Sequence, residues 1–234
     1  YADFDGLNLT FETREGILKH CSIKNAKNLG AIGERFIKQQ QPSLEAQLVN
    51  YADEIAYNNH DIDDGYRSGV IKFKALMDVP LFKECAELVK EDYFDIDEVR
   101  WLHETIRRII YKLIFDICET SSKNLAESKP KTIDEVRILP KLINLSEEMA
   151  QRQIELKQFL RCFLYEHERV VEMTHNAKEI IKDLFLYFMN DPSLMPKSYQ
   201  NNSKQDLARA VADYLAGMTD RYAIKTHKDN KLSV

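Results

Sequence analysis

Glycine and proline are scarce in this sequence, with 7 and 6 among 234 residues. That is far too few for the turn-rich strands of a β-sandwich. No stretch alternates apolar and polar residues convincingly, so an all-helical protein is expected. The four cysteines, Cys21, Cys85, Cys118 and Cys162, show no Cys-x-x-Cys spacing. Neither a zinc site nor a disulfide framework is indicated, and all four are expected to be buried thiols of a cytoplasmic protein. The longest apolar run, Leu184-Phe-Leu-Tyr-Phe-Met189, falls well short of the ~20 residues a membrane span needs. It reads as a fully buried helical turn, so no membrane partner is expected. No signal peptide is visible either. An excess of positive charge is also lacking: the formal net charge is −5. No overall basic field marks a nucleic-acid binder, and nucleic acid stays an unsupported partner.

What is present is the balance of a globular protein, 44% hydrophobic and 30% charged. Thr10 opens a short first helix ending near His20. Residues 24–41 read as a loop with one short helix. Pro42-Ser43 then opens a long helix, with Ser43 as N-cap and Glu45 in its first turn, running to Gly65 or Ser68. Asp78-Val-Pro80 breaks the chain before a helix from Leu81 to Lys90. Residues 96–121 carry apolar side chains at 3.6-residue spacing, and 123–130 read as a polar connector. Thr132-Ile-Asp-Glu135 is a capping box with Pro140 soon after. Further helices are expected over 146–165, 167–190 and, capped by Ser203, over 203–226. The organisation predicted is one all-α domain over 1–234. It comprises a motif-bearing core over 1–70, a helical extension over 81–200 and a closing helix over 203–226. The chain starts at Tyr1, not Met, and is therefore expected to be a piece of a longer polypeptide.

At ~100° per residue the long helix has two distinct faces. Leu48, Ala52, Ile55, Ile62 and Tyr66 share one, whereas Asp53, Tyr57, His60, Asp61 and Asp64 share the other. Three carboxylates, an imidazole and a phenol thus converge on one stripe. A solvated acidic face explains such a pattern. A site for a divalent cation or polar ligand explains it too, because closely spaced carboxylates repel unless a cation or donor lies between them.

Several segments together carry a resemblance. They are Gly6-Leu-Asn-Leu-Thr10, Arg14-Glu-Gly-Ile-Leu-Lys-His20, Pro42-Ser-Leu-Glu-Ala-Gln47, Tyr51-Ala-Asp-Glu-Ile-Ala-Tyr57 and His60-Asp-Ile-Asp-Asp-Gly65, with Ala210-Val-Ala-Asp-Tyr-Leu-Ala-Gly-Met-Thr-Asp-Arg-Tyr-Ala-Ile224 near the other end. In this order they resemble the deoxyguanosine triphosphate triphosphohydrolase family of the HD superfamily. Residues 81–200 match it only in helical character.

The resemblance implies an all-α domain of HD type, here without its N-terminal helices. It also implies a metal-dependent enzyme that hydrolyses dGTP or several dNTPs to the deoxynucleoside and tripolyphosphate. Asp53 would be the last of four metal ligands, holding Mg²⁺ or Mn²⁺, with Ni, Co, Fe or Zn as other candidates. Tyr57 would pack on the deoxyribose and disfavour a 2′-hydroxyl, and Asp61 would accept a hydrogen bond from the 3′-hydroxyl. The His-Asp pair and first His of the family precede Tyr1, so His60-Asp61 is a decoy and no catalytic residue is expected within the chain itself. A homo-oligomer and a dNTP effector are further implications. Lys19 and His20 are weaker candidates for the triphosphate, equally readable as a helix C-cap pair. Arg14 and Arg67 are phosphate candidates against ordinary surface ion pairs. Asp220, Arg221 and Tyr222 are candidates near the pocket against an ion pair within their helix. His103, His167 and His175 are expected to face solvent, and Trp101 to lie in the core. The rival readings are another HD-superfamily phosphohydrolase and a non-catalytic helical module that oligomerises or regulates a partner.

Overall fold

Polar side chains start most of the helices. In the computed structural model, which describes residues 2–3, 6–18, 21–202 and 206–230, Thr10, Ser22, Ser43, Asp97, Thr132, Ser146, Asp206 and Thr219 are N-caps. Each accepts the backbone N–H three residues on. Such a cap satisfies one otherwise orphaned donor and contributes about 1 kcal/mol. The helices are α1 Phe11–Ile17, α2 Ile23–Ala26, α3 Glu34–Ile37, α4 Leu44–Arg67, α5 Phe73–Leu76, α6 Pro80–Asp92 and α7 Glu98–Ser128. After them come α8 Ile133–Ile138, α9 Glu147–Leu160, α10 Glu168–Asn190, α11 Lys197–Asn202, α12 Leu207–Ala216 and α13 Asp220–Asp229. No strand occurs among the described residues, so the fold is all-α.

Tertiary contacts group the chain into two compact units, residues 1–164 and 165–234, where the sequence predicts one domain. Each has its own apolar core. In the first, Ile55 and Ile62 of α4 pack with Phe82 and Cys85 of α6, Leu102, Ile109 and Leu113 of α7, and Leu156 and Leu160 of α9. In the second, Leu184 and Phe188 of α10 pack with Val211, Tyr214 and Leu215 of α12 and with Ala223 of α13. Helical spacing places these apolar residues on one face each, and burying that face supplies most of a helix's stability.

Several expectations need correction. Residues 24–41 hold two helical turns, α2 and α3, joined by a 3₁₀ turn at Gly30–Gly33. A Cβ on Gly33 would meet the Ala26 carbonyl oxygen at 1.9 Å, so this close approach requires glycine. Most of the polar connector expected at 123–130, residues 123–128, is instead the end of α7. Asn124 Nδ2 donates to the Leu142 carbonyl at 2.9 Å, and the helix stops only at Lys129, whose φ is 46°. The closing helix is two helices. Gly217 caps α12, and Thr219 restarts the chain by accepting the Tyr222 N–H. The expected Ser203 cap lies outside the described residues, and Asp206 performs that role for α12. Of the run 184–189 only Leu184 and Phe188 are buried, while Leu186 is exposed. Among the cysteines only Cys85 is buried; Cys21 is half-buried, and Cys118 and Cys162 are exposed. Burial raises the Cys85 thiol pKa above its ordinary value.

Candidate functional site

The sequence of α4 sets both its start and its buried face. Ser43 Oγ accepts the Ala46 N–H at 3.2 Å, and Glu45 lies in the first turn. Gln47, Ile55, Asn58, Asn59, Ile62 and Gly65 are the buried positions. Gln47 ties the helix to a distant segment: its Oε1 accepts the N–H groups of Leu142 at 3.0 Å and Ile143 at 3.1 Å. Gly65 leaves room for Ile71, since a Cβ there would lie 2.5 Å from Ile71 Cδ1.

On the side away from this core the predicted stripe is present. Asp53, His60 and Asp64 are exposed and Asp61 is half-buried. Tyr57, one turn from both Asp53 and Asp61, is 64% exposed. Asp53, Tyr57 and Asp61 therefore form an i, i+4, i+8 ridge open to the surface. The other face is not covered along its whole length: Ile55 and Ile62 are buried, but Leu48 and Ala52 are exposed beside the ridge.

Neighbouring carboxylates are engaged elsewhere. Glu54 receives Gln153 Nε2 at 2.6 Å and pairs with Lys157 Nζ at 2.5 Å. Asp63 meets His103 Nε2 at 3.1 Å and Arg67 Nη1 at 3.6 Å. Arg67 is thus an exposed ion-pair partner within its own helix. Alongside the ridge, between α4 and α7, runs a groove of about 520 Å³. Leu48, Ala52, Ala56, Ile106, Ile110 and Ile114 make most of its walls, with His60, Asp63, His103 and Arg107 as its polar lining. No group of three or more His, Cys, Asp or Glu among the described residues could hold a metal ion. Asp53 does not by itself make a metal centre.

The weaker candidates separate. Lys19 and His20 lie outside the described residues. Arg14 is exposed in the last turn of α1. Its neighbour Glu15, passed over in the sequence, is 2% exposed and takes Arg137 Nη1 at 2.8 Å, with Arg35 Nε at 3.3 Å. Burial lowers the Arg35 pKa, partly offset by the Glu15 charge. A glutamate at a buried position of a short helix is the only sequence signal for this cluster, and the partner 122 residues away is not local. In the second unit Asp220 and Arg221 are exposed at the start of α13. Tyr222 is 49% exposed, with its hydroxyl 3.3 Å from that of Tyr214. Burial, followed by this hydrogen bond, pushes the Tyr214 pKa up to about 12. His227, not singled out in the sequence, is buried and paired with Asp183 at 2.9 Å. His103 and His175 are exposed as expected, whereas His167 is half-buried and caps α10.

Residues 143–229 match a family described as a phosphohydrolase-associated domain. Over nearly all of its length the chain also aligns with curated relatives. It is 51% identical over 228 residues to a deoxyguanosinetriphosphate triphosphohydrolase-like protein of Bordetella pertussis, covering 97% of this chain and 59% of the relative. A protein of the same description from Ralstonia pickettii is 53% identical over 229 residues, with the same coverage of each. Over nearly all of its own length the chain is thus similar to deoxyguanosinetriphosphate triphosphohydrolase-like proteins. A further relative of that description, from Nitrosomonas europaea, is 45% identical over 228 residues, 97% of this chain and 61% of that protein. The chain thus spans about three fifths of the length of these relatives. The alignment covers the segment 81–200 as well, where the sequence motifs offered only helical character. No helix among the described residues is long and apolar enough to cross a membrane.

Proposed function

We propose that the protein is a deoxynucleoside triphosphate triphosphohydrolase and that the α4 ridge is its sugar-facing wall. The observation that carries this reading is the alignment of Asp53, Tyr57 and Asp61 on one exposed face, in a chain whose relatives bear that description. In the reaction, water attacks the α-phosphorus and the bond to the 5′-oxygen breaks. The nucleoside leaves with a proton on that oxygen, and tripolyphosphate is the second product. The exposed ring of Tyr57 offers a flat apolar surface to a deoxyribose, which a 2′-hydroxyl would force to lose a water partner without replacing it. The Asp61 carboxylate, one turn on, is an acceptor for the 3′-hydroxyl. Two contacts to one sugar fix the α-phosphate by positioning. Asp53, one turn to the other side, is offered as one ligand of a divalent ion whose other ligands lie outside these 234 residues. Among the described residues no three His, Cys, Asp or Glu side chains gather to form that ion's site.

The test uses the protein at the full length of its relatives, supplied with dGTP and Mn²⁺. Tripolyphosphate release is expected, and Asp53→Ala should reduce it by ~100-fold or more, beyond the effect of losing a metal's outer support. Because Asp53 is exposed, the unfolding midpoint should stay within about 0.5 kcal/mol of the wild type. Undiminished release from Asp53→Ala would remove Asp53 from the site. Orthophosphate or a monophosphate as the product would favour another nucleotide phosphohydrolase.

A further inference from the structure

We propose that Gln153 and Lys157 of α9 are positioning residues for the nucleotide site, drawing the Glu54 carboxylate back from the α4 ridge so that its charge does not confront an anionic substrate. At about 100° per residue, Glu54 stands about 60° from Tyr57 and about 20° from Asp61 around α4. It therefore borders the ridge, one turn before Tyr57 and two turns before Asp61. Its contacts point the other way. Gln153 Nε2 donates to Glu54 Oε1 at 2.6 Å, and Lys157 Nζ lies 2.5 Å from the same oxygen. Among the described residues Glu54 has no other side-chain hydrogen bond or ion pair, so the restraint comes from α9 alone.

Burial shows that Gln153 is committed to this contact. It is 2% exposed, and its Oε1 has no hydrogen-bond partner. A buried acceptor left unmatched is unfavourable, and leucine would fill nearly the same space without one. The donor to Glu54 is what the glutamine adds. Asn58, one turn beyond Glu54, is 7% exposed with its Nδ2 unpartnered, so it does not share the task. The division of labour is then electrostatic. Asp53, Asp61 and Asp64 already make the ridge acidic, and an uncompensated carboxylate at its edge would further repel a triphosphate. Lys157 cancels that charge, and Gln153 fixes where the carboxylate lies. Both belong to the segment 143–229 that matches the phosphohydrolase-associated family, which thereby gains a task at the ridge. For its substrate the proposal rests on the reading of the preceding section.

The test is steady-state hydrolysis of dGTP with Mn²⁺ by the protein at its relatives' full length. In Lys157→Met the KM should rise ~5-fold or more with kcat within ~2-fold, because the freed charge repels bound substrate and transition state alike. Lys157→Arg should keep the KM near that of the wild type. Adding Glu54→Gln to Lys157→Met should return the KM to within ~2-fold of it. The excess in KM should also shrink at ~0.5 M salt, measured against the wild type at the same salt. Lys157 and Glu54 are 45% and 34% exposed, so the urea midpoint of Lys157→Met should move by less than ~0.3 M, whereas a merely structural pair would shift stability and not KM. An unmoved KM in Lys157→Met would overturn the proposal. A raised KM that Glu54→Gln does not restore would overturn it as well, and would make Lys157 a direct contact of the phosphates. A wild type that releases no tripolyphosphate refutes the enzymatic reading and this one with it, whereas an active wild type with an unmoved KM in the variant refutes this one alone.

Discussion

Replacing Gln47 by methionine should unfold the first unit at markedly lower denaturant. Gln47 is fully buried in α4, and its side chain bridges three backbone groups. Oε1 accepts the N–H groups of Leu142 at 3.0 Å and Ile143 at 3.1 Å, while Nε2 donates to the Pro42 carbonyl at 3.1 Å. Methionine is close in length and volume, so packing changes little and no cavity is opened. What is lost is the acceptor. Leu142 and Ile143 are themselves buried, so two N–H groups lose their partner at about 1–3 kcal/mol each. Offsetting part of this by the greater apolarity of methionine leaves a net loss of about 2–4 kcal/mol, a large share of a domain's usual 5–15. The assay is urea unfolding followed by fluorescence. Trp101 is the only tryptophan and belongs to the first unit, with its ring 4.4 Å from Phe73 and its Nε1 donating to the Ala86 carbonyl at 2.8 Å. The signal is thus confined to the unit that Gln47 supports. With a urea slope of ~1–3 kcal/mol per molar, the midpoint should fall by roughly 1–2 M. A fall below ~0.3 M at unchanged slope would show that these N–H groups do not depend on Gln47.

The same fluorescence assay tests Glu84, whose carboxylate lies between Lys112 and Arg152. The hydrogen bond from Lys112 foremost, against the opposing effect of burial, holds its pKa below the ordinary 4.5. A depressed carboxylate pKa contributes stability above the unfolded value and loses it as pH falls through the folded one. The wild-type midpoint should therefore drop as pH is taken below about 4.5, more steeply than that of Glu84→Gln, which should start lower at neutral pH; parallel curves would exclude the effect. For the ridge, Tyr57→Ala in the full-length protein should shrink the ratio of dNTP to NTP hydrolysis by ~10-fold or more. Its stability should barely change, because the ring is 64% exposed. An unaltered ratio would separate Tyr57 from sugar selection.

Local signals explain what the sequence made legible. Ser43 and Thr132 each announce a helix start by side-chain chemistry, and each is a cap in the structure, as is Ser146 at the start of the helix expected from residue 146. Boundaries that depend on distant contacts were not legible. The extension of α7 through Asn124 relies on the Leu142 carbonyl 18 residues on. Gly217 and Thr219 did offer a local stop and start between α12 and α13. Apolar residues at Val211, Tyr214, Leu215, Met218 and Tyr222 hid it, because their three- to four-residue spacing continues across the three-residue break. Cysteine exposure was illegible for a similar reason. Spacing excludes a zinc cluster, but it says nothing about what packs over Cys118 or Cys162.

The candidate site shows the same division in sharper form. Periodicity determines which residues share a face of α4, and Asp53, Tyr57 and Asp61 do share one. It cannot say whether that face is covered, because cover comes from elements remote in sequence. Leu48 and Ala52 share the apolar face with Ile55 and Ile62, yet both are exposed while Ile55 and Ile62 are buried. Apolar residues of α4 and α7 stand exposed along one groove, and the buried Asn59 Oδ1 beside them has no hydrogen-bond partner; a periodicity that counts only the helix's own residues reports neither, because both depend on what the neighbouring elements leave open.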